Sequence, residues 1–439
     1  MINRLIEFSA NNKFLVFLMI GFAVVAGVWS MMNMPLDAIP DLSDTQVIVY
    51  SRWDRSPDIM EDQVTYPIVT SMLGAPKVKD IRGFSDFGYS FVYIIFEDGT
   101  DIYWARSRTL EYLSSVLPRL PKGVQTELGP DATGVGWVFQ YALVDQTGKR
   151  SLAELRSLQD WFLRYQLKAV PGVAEVAPLG GFVRQYQVNV DPNRLQAYNI
   201  PIMKVVEAVR KGNDDVGARL IELSGTEYMV RGRGYAKNVD DIGGIVLGAS
   251  ENGVPIRVKD VGNVVLGPDI RRGIADWNGE GDVVAGIIVM RQGENALDVI
   301  ERVKKKIEDI QPGLPQGVKI VTAYDRSDLI LRSIENLKST LIEEMVVVSL
   351  IIFIFLWHIP SAIIPVITIP VAIIISFVPM KMLGLTSNIM SLGGIAIAIG
   401  AMVDAAIVVV EQTHKKLEEW EKTGRKEDYH RVVIDAVKE

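Results

Sequence analysis

Hydrophobic and polar positions are distributed very unevenly along this chain. From Phe14 to Met34 no residue is charged. At about 1.5 Å of rise per residue, a helix over that run would cross the ~30 Å hydrocarbon layer of a bilayer. A cleaved signal peptide is the alternative. The run is longer than an ordinary signal core, and Met31-Met32-Asn33-Met34-Pro35 offers no small-x-small cleavage site, so a retained helix over 14–34 is expected. In the segment 1–13, Ile2, Leu5, Ile6 and Phe8 stand beside Arg4 and Glu7, the pattern of a short interfacial helix. Residues 35–340 contain no uncharged run of spanning length. Three more apolar spans are expected over 341–357, 359–380 and 388–411, preceded by a polar linker helix over 326–340. The middle one carries Pro365 and Pro370 and is expected to kink, which membrane helices tolerate.

Between the first and second spans the pattern switches between period two and period 3.6, as in repeated βαβ units. Alternation predicts strands at Thr45–Trp53, Lys79–Phe87 and Ser90–Phe96. Helical spacing follows Ser56-Pro57 to Met72 and Asp101 to Leu117, with Ser56 placed to cap and Pro57 in the first turn. A second unit reads as strand Val138–Val144, helix Ser151–Val170, strands Val173–Ala177 and Arg184–Val190, then strand Val283–Met290 and helix Ala296–Ile310. Glycine-rich short strands over 214–281 interrupt it as an insertion. The expected division is therefore 35–135 for one subdomain, 136–213 with 282–325 for the other, and 412–439 as a charged amphipathic segment after the last span. The fold class is an α+β membrane protein, its transmembrane α-helices carrying a large insert of split βαβ (ferredoxin-like) subdomains.

Charge sets the orientation. Arg4 and Lys13 precede the first span, and Lys415, Lys416, Arg425 and Lys426 follow the fourth. Four spans put both ends on one side, and the positive-inside rule makes that side cytoplasmic. The insert is then extracytoplasmic, and His358, His414 and His430, the only histidines, all fall on the cytoplasmic side. A net charge of −7 speaks against a nucleic-acid partner. With no cysteine there is no disulfide framework and no thiolate metal site. No phosphate loop of the G-x-x-x-x-G-K-[ST] form and no serine–histidine–acid grouping is present, so neither ATP hydrolysis nor hydrolase chemistry is expected.

The residue that stands out is Asp404, set among Ile395–Val410 in the fourth span. A carboxyl near the centre of a membrane helix costs about 2.5–3.5 kcal/mol on the insertion scale and is generally retained for ion coupling, a proton relay or a buried partner. A relay and a static ion pair both fit, and no cation in the four spans offers itself as a partner. Gly393, Gly394, Ala396, Ala398, Gly400, Ala401, Ala405 and Ala406 surround it, and such small residues allow close helix approach, moving or static. Thioether sulfur is a soft ligand that suits Cu(I). Met390 lies fourteen residues before Asp404, about 21 Å along the axis on a similar face, while Met402 points elsewhere. Both are candidate metal ligands, with core packing as the alternative.

Three longer motifs carry a family resemblance. They are Pro35-Leu36-Asp37-Ala38-Ile39-Pro40-Asp41-Leu42-Ser43-Asp44, the run from Glu127 to Trp137, and Arg156-Ser157-Leu158-Gln159-Asp160-Trp161. With the fourth span from Asn388 to Ala406, they resemble heavy-metal efflux pumps of the resistance-nodulation-division superfamily, in particular the copper- and silver-exporting branch. The resemblance implies a homotrimer in the bacterial inner membrane, driven by protons. Its periplasmic porter subdomains and docking insertion would join a periplasmic adaptor (membrane fusion protein) and an outer-membrane channel. It assigns Asp404 to the proton relay, Met390 and Met402 to a methionine path for Cu(I) or Ag(I), and 214–281 to the docking insertion, with no cofactor and no enzymatic activity. Val409 and Ile270 stand where copper-branch relatives carry methionine. Such pumps have twelve spans in two similar halves. The resemblance therefore implies that this sequence is the N-terminal part, with the principal metal site and the relay partners elsewhere and no transport by this part alone. Export of zinc, cobalt or nickel is the neighbouring alternative, and a membrane-anchored assembly module without transport is the more distant one.

Overall fold

The computed structural model describes residues 2–250, 252–271, 273–356, 359–424 and 428–438. His358, Arg425 and Lys426, which entered the orientation argument, lie outside the described residues. Two helices open the chain: α1 (Ile2–Asn11) and α2 (Lys13–Met32), the latter apolar on every face. The first sheet unit follows as β1 (Gln46–Arg52), α3 (Pro57–Met60), a π turn at Glu61–Thr65, α4 (Tyr66–Met72), β2 (Val78–Asp86), β3 (Tyr89–Phe96), α5 (Ile102–Val116) and β4 (Gln125–Leu128). β1 and β3 alternate buried and half-buried positions, so one face of the sheet is dry. Asp101 starts α5 by accepting the Trp104 N–H at 2.8 Å, and Gly99 takes the positive φ that turns β3 into that cap. Val47, Val49, Ile94 and Phe96 close against Met60, Val64 and Ile68.

A second unit begins with β5 (Trp137–Asp145), α6 (Leu152–Leu158), a π turn at Gln159–Leu163, α7 (Arg164–Lys168) and β6 (Val173–Gly180). It is interrupted by β7 (Arg184–Val190), α8 (Pro192–Ala197), α9 (Ile202–Gly212), β8 (Val216–Leu223), β9 (Thr226–Gly232), α10 (Val239–Gly243), β10 (Val246–Ala249), β11 (Pro255–Arg257), α11 (Val258–Val261) and β12 (Gly262–Pro268). The unit then resumes with β13 (Val284–Met290), α12 (Ala296–Ile310) and β14 (Val318–Asp325). The sheets run β2-β3-β1-β4 and β14-β5-β13-β6, each with its closing strand beside its first strand and its third beside its second. Both units are therefore βαββαβ folds of one topology. In each, the first helix carries its π turn, an insertion associated with functional sites.

The interruption differs from the expected 214–281. β7 pairs with β12 along Arg184–Val190 and not with the β5 sheet. With α8 and α9 it encloses a separate core of Ile200, Val205, Leu247, Ile256, Val258 and Val261. This body thus starts at Arg184. The alternation in Arg184–Val190 fits a strand of either sheet, and only the partner decides. Within it, the β8–β9 hairpin exposes the described side chains of both strands.

In the second unit Gly286 lies beneath the ring of Tyr141, where an added Cβ would sit 2.3 Å from Cζ. The fully buried Tyr141 hydroxyl donates to Gln159 Oε1 at 2.9 Å, and burial pushes its ionisation well above the usual tyrosine range, so it stays a donor. Gly286→Ala is expected to displace the ring and cost about 1–3 kcal/mol as an overpacked core does. A thermal melt of the purified variant that matches the parent would refute this.

Beyond β14 the chain is helical: α13 (Arg326–Leu356), α14 (Ile359–Met382), α15 (Ile389–Lys422) and α16 (Tyr429–Lys438). The expected linker 326–340 and span 341–357 are one helix, because the polar stretch holds no breaker between Arg326 and Leu356. The span expected over 388–411 continues helical to Lys422, supported by exposed i,i+4 pairs such as Glu418–Lys422 at 2.8 Å. α14 stays helical through Pro365 and Pro370. Among the described residues, Lys13–Met32 and Ile389–Lys422 are long and apolar enough to cross a membrane, and Ile367–Met382 is a shorter apolar stretch. Lys438 pairs with Glu7, so α16 and α1 lie at the same end of the helix bundle.

Candidate functional site

α15 begins with a capping box. Asn388 Oδ1 accepts the N–H groups of Met390 and Ser391 at 3.0 Å each, and Ser391 Oγ accepts the Asn388 N–H at 2.9 Å. This fixes the rotation of α15. Leu392, Ile395 and Ile399, at helical spacing, are driven into a cluster with Ile369 and Phe377 of α14 and Met34 from the segment after α2. Met402 packs against that cluster and lines a groove of about 970 Å³ between α14, α15 and α16, beside Ala406, Val410 and His414.

The opposite face of α15 carries Met390, 70% exposed, then Gly393, Gly394, Ile397, Ala401, Asp404 and Val408, all exposed in this chain. Apart from the neighbouring turns of α15 itself, no atom of the described residues lies within 4 Å of where a Cβ on Gly393, Gly394 or Gly400 would stand. Among the described residues the Asp404 carboxylate has no hydrogen-bond or ion-pair partner. Met390 and Asp404 share a face, and Met402 stands on another. The two methionines are about 18 Å apart along the helix and form no common site within this chain. Among the described residues there is no group of three or more histidines, aspartates or glutamates able to hold a metal ion.

The sequence motifs of the sheet units prove to be ties. Asp41 accepts a hydrogen bond from Thr133 at 2.7 Å, joining the segment after α2 to the loop before β5. Arg156 grips both carboxylate oxygens of Asp160 at 3.0 and 2.8 Å and donates to the Gly180 carbonyl at 2.6 Å, fixing α6 to the end of β6. Sequence reasoning missed a further polar contact, Asp37 with Arg326 at 3.4 Å, because the partners stand 289 positions apart. An acid just after one apolar helix and a base just before another was the only signal available.

Known proteins resemble the whole of this arrangement. The chain is 55% identical over 422 residues to the cation efflux system protein CusA of Escherichia coli (strain K12), covering 96% of this chain and 40% of that one. It is 37% identical over 449 residues to the cobalt-zinc-cadmium resistance protein CzcA of Cupriavidus metallidurans, covering 99% of this chain and 42% of that protein. A crystal structure of a heavy metal efflux pump superposes with a TM-score of 0.83 at 31% identity, over 98% of this chain and 42% of the pump. The chain thus spans about two-fifths of the length of these relatives. The profile of the AcrB/AcrD/AcrF family matches residues 5–438, and the chain belongs to that family of resistance-nodulation-division proteins.

Proposed function

We propose that this chain is part of the inner-membrane subunit of a proton-driven heavy-metal exporter that expels Cu(I) and Ag(I). The observation that carries this reading is the open face of α15, where Asp404, without a partner among the described residues, stands in a stripe of small residues with Met390 on the same side. A carboxylate there can take up a proton and release it as a neighbouring helix approaches, since small residues allow close contact. Met390 and Met402 supply soft, uncharged donors at two levels of the same helix, which suits monovalent copper or silver better than zinc. The greater identity to CusA than to the cobalt-zinc-cadmium protein supports the same choice.

In this reading α2, α13, α14 and α15 cross the membrane, with both ends cytoplasmic. Lys381 lies 3.5 Å over the Trp29 ring at the end of α14 nearest the sheet units, the aromatic-and-cation pairing expected at a membrane surface. The sheet units then form the periplasmic porter, and the body from Arg184 to Pro268 forms the docking part of a trimer joined to an adaptor and an outer-membrane channel. The test is growth of a metal-sensitive host carrying the transporter. Silver and copper tolerance is expected to rise at least tenfold, in the range of an ordinary ligand discrimination of about 1.4 kcal/mol, with zinc and cobalt tolerance unchanged. Protection against zinc alone would replace this reading with the divalent one, and protection against no metal would leave an assembly role.

A further inference from the structure

β14 passes into α13 without an intervening residue, Asp325 ending the strand and Arg326 opening the helix. Both residues are tied down. Asp325 pairs with Lys304 of α12 and accepts the Ser327 N–H at 2.9 Å, so the start of α13 is held to the second sheet unit. Arg326, only 5% exposed, reaches the other way. It donates to both oxygens of Asp37 at 3.4 Å and to the Trp137 carbonyl at the start of β5 at 3.0 Å. Asp37 belongs to the segment leaving α2, and that segment is laced to the α14–α15 connection. The Asp37 N–H donates to Ser387 O at 3.1 Å, the Ser387 N–H to Pro35 O at 3.0 Å, and the Ile389 N–H to Ala38 O at 3.2 Å. One guanidinium therefore joins the ends of α2, α13 and the α14–α15 hairpin to the first strand of the second sheet unit.

Its geometry is not that of a fully satisfied structural clamp. Charge-assisted N–H···O contacts ordinarily fall near 2.7–2.9 Å, about half an ångström shorter than these. Arg326 Nε is buried and donates to no described residue. The pair can tighten, or exchange one donor for another, when α13 shifts. We propose that Arg326 and Asp37 form the positioning contact through which movement of the membrane helices reaches the second sheet unit. This rests on the transport reading above.

The test exploits a property of buried ion pairs. Replacing both partners with apolar side chains of similar size is commonly neutral for stability, whereas removing one partner is not. Asp37→Leu combined with Arg326→Met, made in the transporter as its cell produces it, is expected to melt with the parent while silver export per folded molecule falls about tenfold at unchanged KM. Arg326→Lys, which keeps the charge and loses the fork, is expected to fall between the two. Parental export by the double variant would overturn the proposal. If the parent itself moves no metal, the transport reading fails and the contact is read directly. Spin labels at Leu331 on α13 and Leu179 on β6, both exposed, are expected to give a narrow distance distribution in the parent. The distribution should be broader in Arg326→Lys and broadest in the double variant, and equal widths in all three would sink the coupling role.

Discussion

On the transport reading proposed above, Asp404→Asn in the full-length protein is expected to lower metal export by at least ~100-fold, the lower end of what a positioned acid–base group supplies. The amide keeps the shape of the side chain and its capacity for hydrogen bonds, and loses only the ability to ionise. Among the described residues none relies on this charge, because the carboxylate meets no partner there and lies on the exposed face of α15. The amount of protein in the membrane should therefore match the parent. Asp404→Glu, which can still titrate from a longer arm, is expected to retain partial export. A metal-loaded vesicle assay with an imposed pH gradient reads all three, and undiminished flux through the asparagine variant would remove proton coupling from this residue.

Much of the fold was written in local pattern. The bounds of α12 follow from helical spacing after Asn295, and β3 from its alternation of apolar positions. The closing strands were harder. β4 is a four-residue edge strand, Gln-Thr-Glu-Leu, with too little apolar alternation to stand out from a loop. β14 alternates well, yet its place beside β5 depends on a partner more than 170 positions earlier, Asp145 opposite Val318. The same limit explains β7, whose pairing with β12 moves the start of the inserted body to Arg184. In the site, Asp404 was legible because one carboxyl in an uncharged run violates the local rule. That its face is open, while Met402 turns inward toward α14, depends on which side of α15 is buried, and the packing of three helices decides it. The contact of Arg326 with Asp37 was out of reach for a different reason: neither segment names its partner, and the pairing exists only once the fold brings the two together.

Gly27 on α2 carries the second large effect. Here α2 and α14 approach so closely that a Cβ on Gly27 would stand 2.3 Å from the Ile374 carbonyl oxygen and 2.8 Å from both its carbonyl carbon and Cγ2. Backbone meets backbone, as small residues allow between apolar helices. Even a methyl group must push the helices apart by roughly 1 Å to restore ordinary contact at about 3.5 Å. A leucine must do far more, and α2 cannot yield freely. Its C-terminal end is fixed by the ring of Trp29 under Lys381, and a few residues on by the contacts between Pro35–Ala38 and Ser387–Ile389. Gly27→Leu is therefore expected to exceed the ~1–3 kcal/mol of ordinary overpacking and to reduce the folded protein recovered from membranes severalfold, with Gly27→Ala intermediate. The nearest obstacle is a carbonyl, so shaving the opposing side chain should not help: Ile374→Ala added to Gly27→Leu is expected to leave recovery low. If that second change restored the protein, the contact would be one of side chains, and α2 would be held to α14 less intimately than their backbones indicate.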